Sequence, residues 1–261
     1  MSVDNVDNGS TDESIDEIQR FIENDSNYRI LVNKKNLGYA AGNNVGIKYA
    51  LENKAGYVVI LNNDTILEQT SLIRIIEVMN EDPTFGLTSP KLYFAEGFEF
   101  HKSKYKKEDL GKVIWYAGGK IDWDNVFGTT RGVDEVDDGQ YDKLEETDFA
   151  TGACLVASRE LLQKVGMFDE RYYLYYEDTD LSVRAKRSGF KVVYVPKSVV
   201  WHKVAQSSGI GSNLNDYFIS RNRMLFGIKY ASLRTKVALF RESVKILLKG
   251  REWQRKGILD F

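Results

Sequence analysis

The chain has 261 residues, 43% of them apolar and 12% aromatic, which suffices to bury one substantial core and excludes a disordered chain. Its formal net charge is -2, yet from Gly227 onward nine Lys/Arg face three Asp/Glu, so the tail carries +6 and the rest -8. An acidic body with a basic tail argues against a nucleic-acid binder and suits a protein that meets an anionic surface through its end. One cysteine, Cys154, excludes an intrachain disulfide, and two histidines exclude a Cys/His zinc cluster. With no apolar run of about 18 residues and no signal-like start, the expectation is a cytosolic chain.

Ser10 stands three places before Glu13, a capping-box spacing, and Ile15, Ile18 and Ile22 follow at helical intervals, which predicts a helix over 10–24 with one buried stripe. A strand is expected over 29–32, a helix over 42–51, a central strand over 57–61 (YVVIL) and a helix over 71–80. This alternation predicts βαβ units: an α/β fold with a mostly parallel sheet flanked by helices. Residues 96–147 lose the rhythm and read as a loop-rich insertion with short strands near 113–116 and 119–123. Order returns over 151–165, then a helix over 179–188 ended by Gly189, then a strand over 191–195 stopped by Pro196. The last 45 residues read as helical. The expected organisation is one domain over 1–226 and a basic amphipathic helical extension over 227–261.

In an open α/β sheet, ligands sit at the carboxyl ends of strands, so polar residues that directly follow a strand are the candidates. Asp7-Asn8-Gly9-Ser10 follows Val6, and Asn62-Asn63-Asp64 follows YVVIL. Between them, Asn36 to Asn44 (NLGYAAGNN) offers small residues where a helix start can approach an anion, without the spacing of a P-loop or a dinucleotide fingerprint. The second half holds Thr151-Gly152-Ala153-Cys154, Phe168-Asp169-Glu170, Glu177-Asp178 beside four tyrosines within Tyr172 to Tyr176, and Trp201-His202. Carboxylates beside tyrosines suit a sugar platform with a base at its edge. Asp178 equally suits a cap for the helix expected from Thr179, and a lone histidine is commonly structural.

The ordered set VDNGSTD, NLGYAAGNN, NND, TGACL, FDE, YYEDTDL with Arg184 three residues on, and WH resembles family-2 glycosyltransferases over roughly residues 6–256. The insertion fragment GKVIWYAGGKID, with GQY further on, looks like the rhamnosyltransferase branch. The resemblance implies a GT-A-like (nucleotide-diphospho-sugar transferase) fold with a loop-rich acceptor subdomain and C-terminal helices. It implies inverting transfer from a dTDP- or UDP-linked sugar to a glycan or lipid-linked acceptor, in cell-envelope polysaccharide biosynthesis. Asp64 and His202 match ligands of Mn²⁺ or Mg²⁺, with Asn62 and Asn63 at the other positions of the D-x-D-like motif. Asp7 matches the residue that meets the pyrimidine base; Asn8, Gly38, Asn43, Asn63 and Arg221 are expected along the nucleotide diphosphate. Asp178 matches the general base, and Glu177 is expected to orient the acceptor. The stretch 202–215 has the composition of a loop that closes over the diphosphate.

The family pattern includes a further strand and helix ahead of VDNGSTD. Its absence here leaves a rival expectation, a non-catalytic nucleotide-sugar-binding module, and a sheet edge that favours self-association. A nucleotidyltransferase is disfavoured, for want of a glycine-rich basic loop near the amino terminus. In the tail, Leu233, Val237, Phe240, Val244 and Leu247 trace one helix face among basic residues at 234, 236, 241, 245 and 249. Two readings stay open: the helix covers the sheet, or it lies in a membrane interface at the inner face of the cell membrane.

Overall fold

The computed structural model describes residues 1–22, 25–204 and 212–261. In chain order, β1 (Val3–Asp7), α1 (Ser14–Ile22), β2 (Tyr28–Val32), α2 (Gly38–Glu52) and β3 (Tyr57–Leu61) open the fold. β4 (Thr65–Leu67), α3 (Ser71–Glu81) and β5 (Phe85–Phe94) follow; then come the insertion strands β6 (Ile114–Tyr116), β7 (Gly119–Asp122), β8 (Phe127–Thr130) and β9 (Glu145–Glu146). β10 (Cys154–Ser158), α4 (Arg159–Val165), α5 (Glu177–Arg187), β11 (Lys191–His202), α6 (Asn213–Tyr230), α7 (Leu233–Lys249) and α8 (Glu252–Leu259) complete it.

The central sheet runs β3-β10-β5-β11-β4, with β6 added to β5 and β9 to β11. The α/β class is as expected, and the strand senses are mixed: β5 and β11 are parallel, whereas β10 is antiparallel to both its neighbours. β10 is buried at every position, so its alternating side chains serve two layers. Leu155 and Ala157 pack with Ala40, Ile47, Leu161 and Leu181 from α2, α4 and α5, while Val156 meets Ile75 and Met79 of α3 on the opposite face.

β1 and β2 pair with each other in parallel and form a separate two-stranded sheet. α2 packs against both β1 and β3 and so spans the two sheets. α1 begins at Ser14 and not at Ser10: the Asp12 carboxylate takes the Ser14 amide at 3.1 Å, while the Ser10 amide goes to Asp7 Oδ2 at 3.1 Å. Its isoleucine stripe is only half-buried, because a two-stranded sheet offers little to cover, and Phe21 is 82% exposed.

Pro196 does not stop β11. The strand continues to His202 through an irregular register between Val195 and Val199, which is where a residue without an N–H donor fits a strand paired on both sides. The insertion is less loop-like than expected. Ile114 and Tyr116 are wholly buried against Leu92, Tyr194 and Val200, so β6 extends the central sheet.

The boundary expected at residue 226 falls inside α6, a single 18-residue helix. α7 turns Thr235, Leu239 and Ser243 inward, with Leu239 seated against Gly227. Leu233, Phe240 and Leu248 are 79%, 65% and 74% exposed, so the apolar stripe faces away from the fold and does not cover the sheet.

Candidate active site

β3 ends at Leu61 and β11 at His202, and the two termini bring Asp64 and His202 together. β4 pairs with the end of β11, the Lys203 amide donates to the Asp64 carbonyl at 2.8 Å, and Asp64 Oδ1 stands 3.1 Å from His202 Nε2. Asp64 Oδ1 and His202 Nδ1 are buried without a hydrogen-bond partner. Trp115 of β6 packs edge-on against the imidazole, ring centroids 4.6 Å apart. Among the described residues no group of three or more His, Cys, Asp or Glu is placed to hold a metal. The pair nonetheless fits a divalent cation that takes its other ligands from phosphate and water: two adjacent donors at about 2.1 Å each subtend about 3 Å.

The TGAC and EDTD segments meet at Gly152. Its amide donates to Asp178 Oδ2 at 2.9 Å, and its carbonyl accepts the Tyr39 hydroxyl at 2.6 Å. A Cβ at Gly152 would stand 2.9 Å from that hydroxyl, so a side chain there would push the Tyr39 hydroxyl off the carbonyl. Tyr39 is held well above the usual phenol range by burial and then by Glu177, Asp178, Cys154 and Asp64. Next to Gly152 the Asn62 amide donates to the Ala153 carbonyl at 3.0 Å, so the turn that carries Asp64 and the Glu-Asp pair flank one short loop at the end of β3 and the start of β10. Burial pushes the Cys154 thiol up to about 12, which leaves it no nucleophile.

Asp178 lies in the first turn of α5, where carboxylates are favoured, and its Oδ1 accepts the Thr179 amide at 2.6 Å. Burial raises its pKa above the ordinary aspartate value. Glu177 is 5% exposed with Oε2 buried and unpartnered, and burial followed by repulsion from Asp178 raises its pKa well above the usual range. The fold therefore favours the neutral acid, while the unfolded chain ionises near about 4.3. As pH rises above that value the unfolded state loses its proton first, so stability falls until the folded pKa is passed. Glu177→Gln is expected to melt above the parent, by a margin that widens between about pH 5 and pH 8. Equal margins across that range mean that Glu177 is ionised in the fold.

The first-half residues divide. Asp7 is 7% exposed at the end of β1, where Oδ2 accepts the Gly9 and Ser10 amides. Asn8 is engaged by protein on both ends of its amide: it donates to Asn36 Oδ1 and the Gly38 carbonyl and accepts from Leu37 N and Asn33 Nδ2. It braces the turn into α2. Gly38 has φ +82° and lies under the Tyr173 ring, and its amide goes to Asn36 Oδ1 while that of Ala40 goes to the Tyr173 carbonyl. These amides are occupied where an anion was expected. Asn43 bonds the Tyr39 carbonyl within α2, and Asn63 is exposed beside Asp64. Arg221, expected at the phosphates, donates instead to the Arg171 carbonyl and to Asn222 Oδ1.

The tyrosine platform is smaller than expected. Tyr172 and Tyr176 are 0% and 8% exposed in the core with Val126 and Phe226, and Tyr173 stacks on Phe218 at 5.0 Å. Tyr173, Tyr175 and Tyr176 hold φ of +63°, +69° and +72°, a concentration of left-handed backbone directly before Glu177. Asn222 of α6 supports it with one side-chain nitrogen near the carbonyls of Tyr172, Leu174 and Tyr175, at 2.8, 2.7 and 2.9 Å. Tyr39, Trp115 and Gly152 lay inside segments already singled out, without a role of their own, and Asn222 lay in none. The expected closing loop falls largely on 205–211, outside the described residues.

Solved structures share this architecture. A GalNAc-T7 structure with UDP, GalNAc and Mn²⁺ matches 99% of this chain and 47% of its own at TM-score 0.68 and 15% identity. The Pyrobaculum calidifontis mannosyltransferase PcManGT with GDP-Man and Mn²⁺ matches 99% of this chain and 64% of its own at 0.56 and 16%. The fold is that of the GT-A glycosyltransferases. The profile of glycosyl transferase family 2 matches residues 5–166, and that of glycosyl transferase family group 2 matches 113–253. The chain belongs to glycosyl transferase family 2. Among curated relatives, the Mycobacterium tuberculosis N-acetylglucosaminyl-diphospho-decaprenol L-rhamnosyltransferase is 27% identical over 80% of this chain and 68% of its own. The Shigella flexneri dTDP-rhamnosyl transferase RfbF is 22% identical over 84% of this chain and 65% of its own.

Proposed function

We propose that the chain is an inverting, metal-dependent transferase that moves rhamnose from dTDP-rhamnose to a glycan or lipid-linked acceptor. The observation that carries this reading is that the turn bearing Asp64 and the Glu177-Asp178 pair are tied to the same loop at one sheet edge, the Asn62 amide to the Ala153 carbonyl at 3.0 Å and the Gly152 amide to Asp178 Oδ2 at 2.9 Å. Asp64 and His202 would hold Mn²⁺ or Mg²⁺, and the bound cation would supply positive charge to a leaving diphosphate. Asp7, at the end of β1, meets the pyrimidine base. Asp178 takes the proton of the attacking acceptor hydroxyl; its raised pKa makes it a stronger base than an exposed aspartate. Glu177, as a neutral acid, gives a hydrogen bond to the acceptor or sugar where an ionised carboxylate only accepts. The names of the relatives support rhamnose and a lipid-linked acceptor.

Titration calorimetry with dTDP and with UDP, each with and without Mn²⁺, tests the reading. dTDP is expected to bind, with affinity raised by Mn²⁺. Asp64→Asn and His202→Ala are expected to remove that gain, about tenfold or more, and to leave metal-free binding nearly unchanged. Absence of binding by either nucleotide overturns the proposal in favour of a non-catalytic module. Preference for UDP overturns the dTDP donor alone.

A further inference from the structure

α7 is inverted for a helix packed on a globular fold. Its fold-facing positions are Thr235, Leu239 and Ser243, while Leu233, Val237, Phe240, Val244 and Leu248 are between 42% and 79% exposed. At 100° per residue, positions 233, 237, 240, 244 and 248 fall within an arc of about 80°, so the exposed apolar groups form one unbroken stripe. Arg234, Arg241 and Lys245 are exposed along one border of that stripe, and Lys236 lies along the other. The acidic residue of the helix, Glu242, points elsewhere and is paired with Arg223 at 2.8 Å. A row of exposed Leu, Val and Phe in water carries a standing cost that packing among the described residues does not relieve.

We propose that this face of α7 docks in the plane of an anionic lipid surface, with Phe240 and Leu248 entering the headgroup boundary and Arg234, Arg241 and Lys245 against lipid phosphates. The charge pattern selects the occupant. A second copy meeting the first through the same stripe brings basic borders together with no acidic side chain on the face to answer them. A bilayer rich in anionic lipid answers both features at once, apolar depth under the stripe and negative charge along its borders. Among the described residues no helix is long and apolar enough to cross a membrane, and α7 would lie along the surface. This surface stands apart from the sheet-edge site and does not depend on the transfer reaction.

The experiment is co-sedimentation of the full chain with vesicles of phosphatidylcholine alone and of phosphatidylcholine with phosphatidylglycerol, at low and high salt. The parent chain is expected to sediment with the anionic vesicles at low salt, and less so at high salt. Phe240→Ser/Leu248→Ser is expected to weaken partition about tenfold or more, since both side chains are exposed and their loss leaves the fold intact. Arg241→Glu/Lys245→Glu is expected to abolish the preference for anionic vesicles with the apolar stripe untouched, which keeps the proposal testable if the first variant misfolds. A parent chain that stays in the supernatant with anionic vesicles at low salt overturns the proposal. So does a parent that elutes as a dimer, split by Phe240→Ser/Leu248→Ser, without vesicle binding.

Discussion

Replacing Asp178 with Asn is expected to lower turnover by about two orders of magnitude or more while leaving nucleotide affinity nearly unchanged, because a general base contributes on the order of 10² to 10⁴ and does not touch the nucleotide. The amide keeps the size of the carboxylate and retains an oxygen to accept the Gly152 or Thr179 N–H, so the first turn of α5 and the TGAC loop keep most of their support. What it lacks is the capacity to take a proton. Steady-state kinetics beside nucleotide titration separate the outcomes. Equal loss of binding and turnover makes Asp178 a cap of α5 that organises Gly152, and moves the base elsewhere on the edge.

The second large effect is expected at Asn222, which is wholly buried and touches neither candidate carboxylate. Three residues in four with φ between +63° and +72° cost on the order of 1 to 3 kcal/mol each, and such backbone persists only where its surroundings hold it. The Asn222 side-chain amide, with two hydrogens shared among three carbonyls, is a large part of that hold. Asn222→Leu removes this donor from the Leu174 and Tyr175 carbonyls, while the Tyr172 carbonyl keeps the Leu174 amide at 2.7 Å; at about 1 to 3 kcal/mol for each, a loss of about 2 kcal/mol or more is expected in denaturant unfolding. Asn222→Asp keeps the shape and removes the donors, and is expected to cost as much. An Asp variant as stable as the parent refutes the donor role and leaves only packing.

Most of the scaffold was legible because its signals are local. YVVIL is apolar on both faces and became β3; the helices expected over 71–80 and 179–188 appear within two residues of their observed ends. The misreadings arise where a local rule met a tertiary one. Pro196 marks a strand end when β11 is taken alone, but pairing with β5 and β4 carries the chain past it to His202. Ser10 and Glu13 had capping-box spacing, yet Asp7 claimed the Ser10 amide. Periodicity marked the apolar face of α7 and contained nothing about which way it turns. In the site, the order of short motifs pointed to Asp64, Asp178 and His202, whereas Tyr39, Gly152 and Asn222 acquire meaning only where distant segments converge. Asn8 and Arg221 show the converse, polar residues singled out by the motifs whose hydrogen bonds go to neighbouring backbone and side-chain groups.

The two sheets have a thermodynamic consequence for ligand capture. Asp7 stands on the small sheet and Asp64 on the large one, and no strand ladder joins them among the described residues; α2 is the helix that packs on both. A two-stranded sheet is marginal without outside support, so the small sheet sits at the soft end of the molecule's stability. A nucleotide diphosphate reaching from Asp7 to Asp64 would stitch across that seam, and part of its intrinsic binding free energy would be absorbed in quieting the motion of one sheet against the other. In such an arrangement side chains of α2 that pack on the two sheets would act on capture without meeting the ligand.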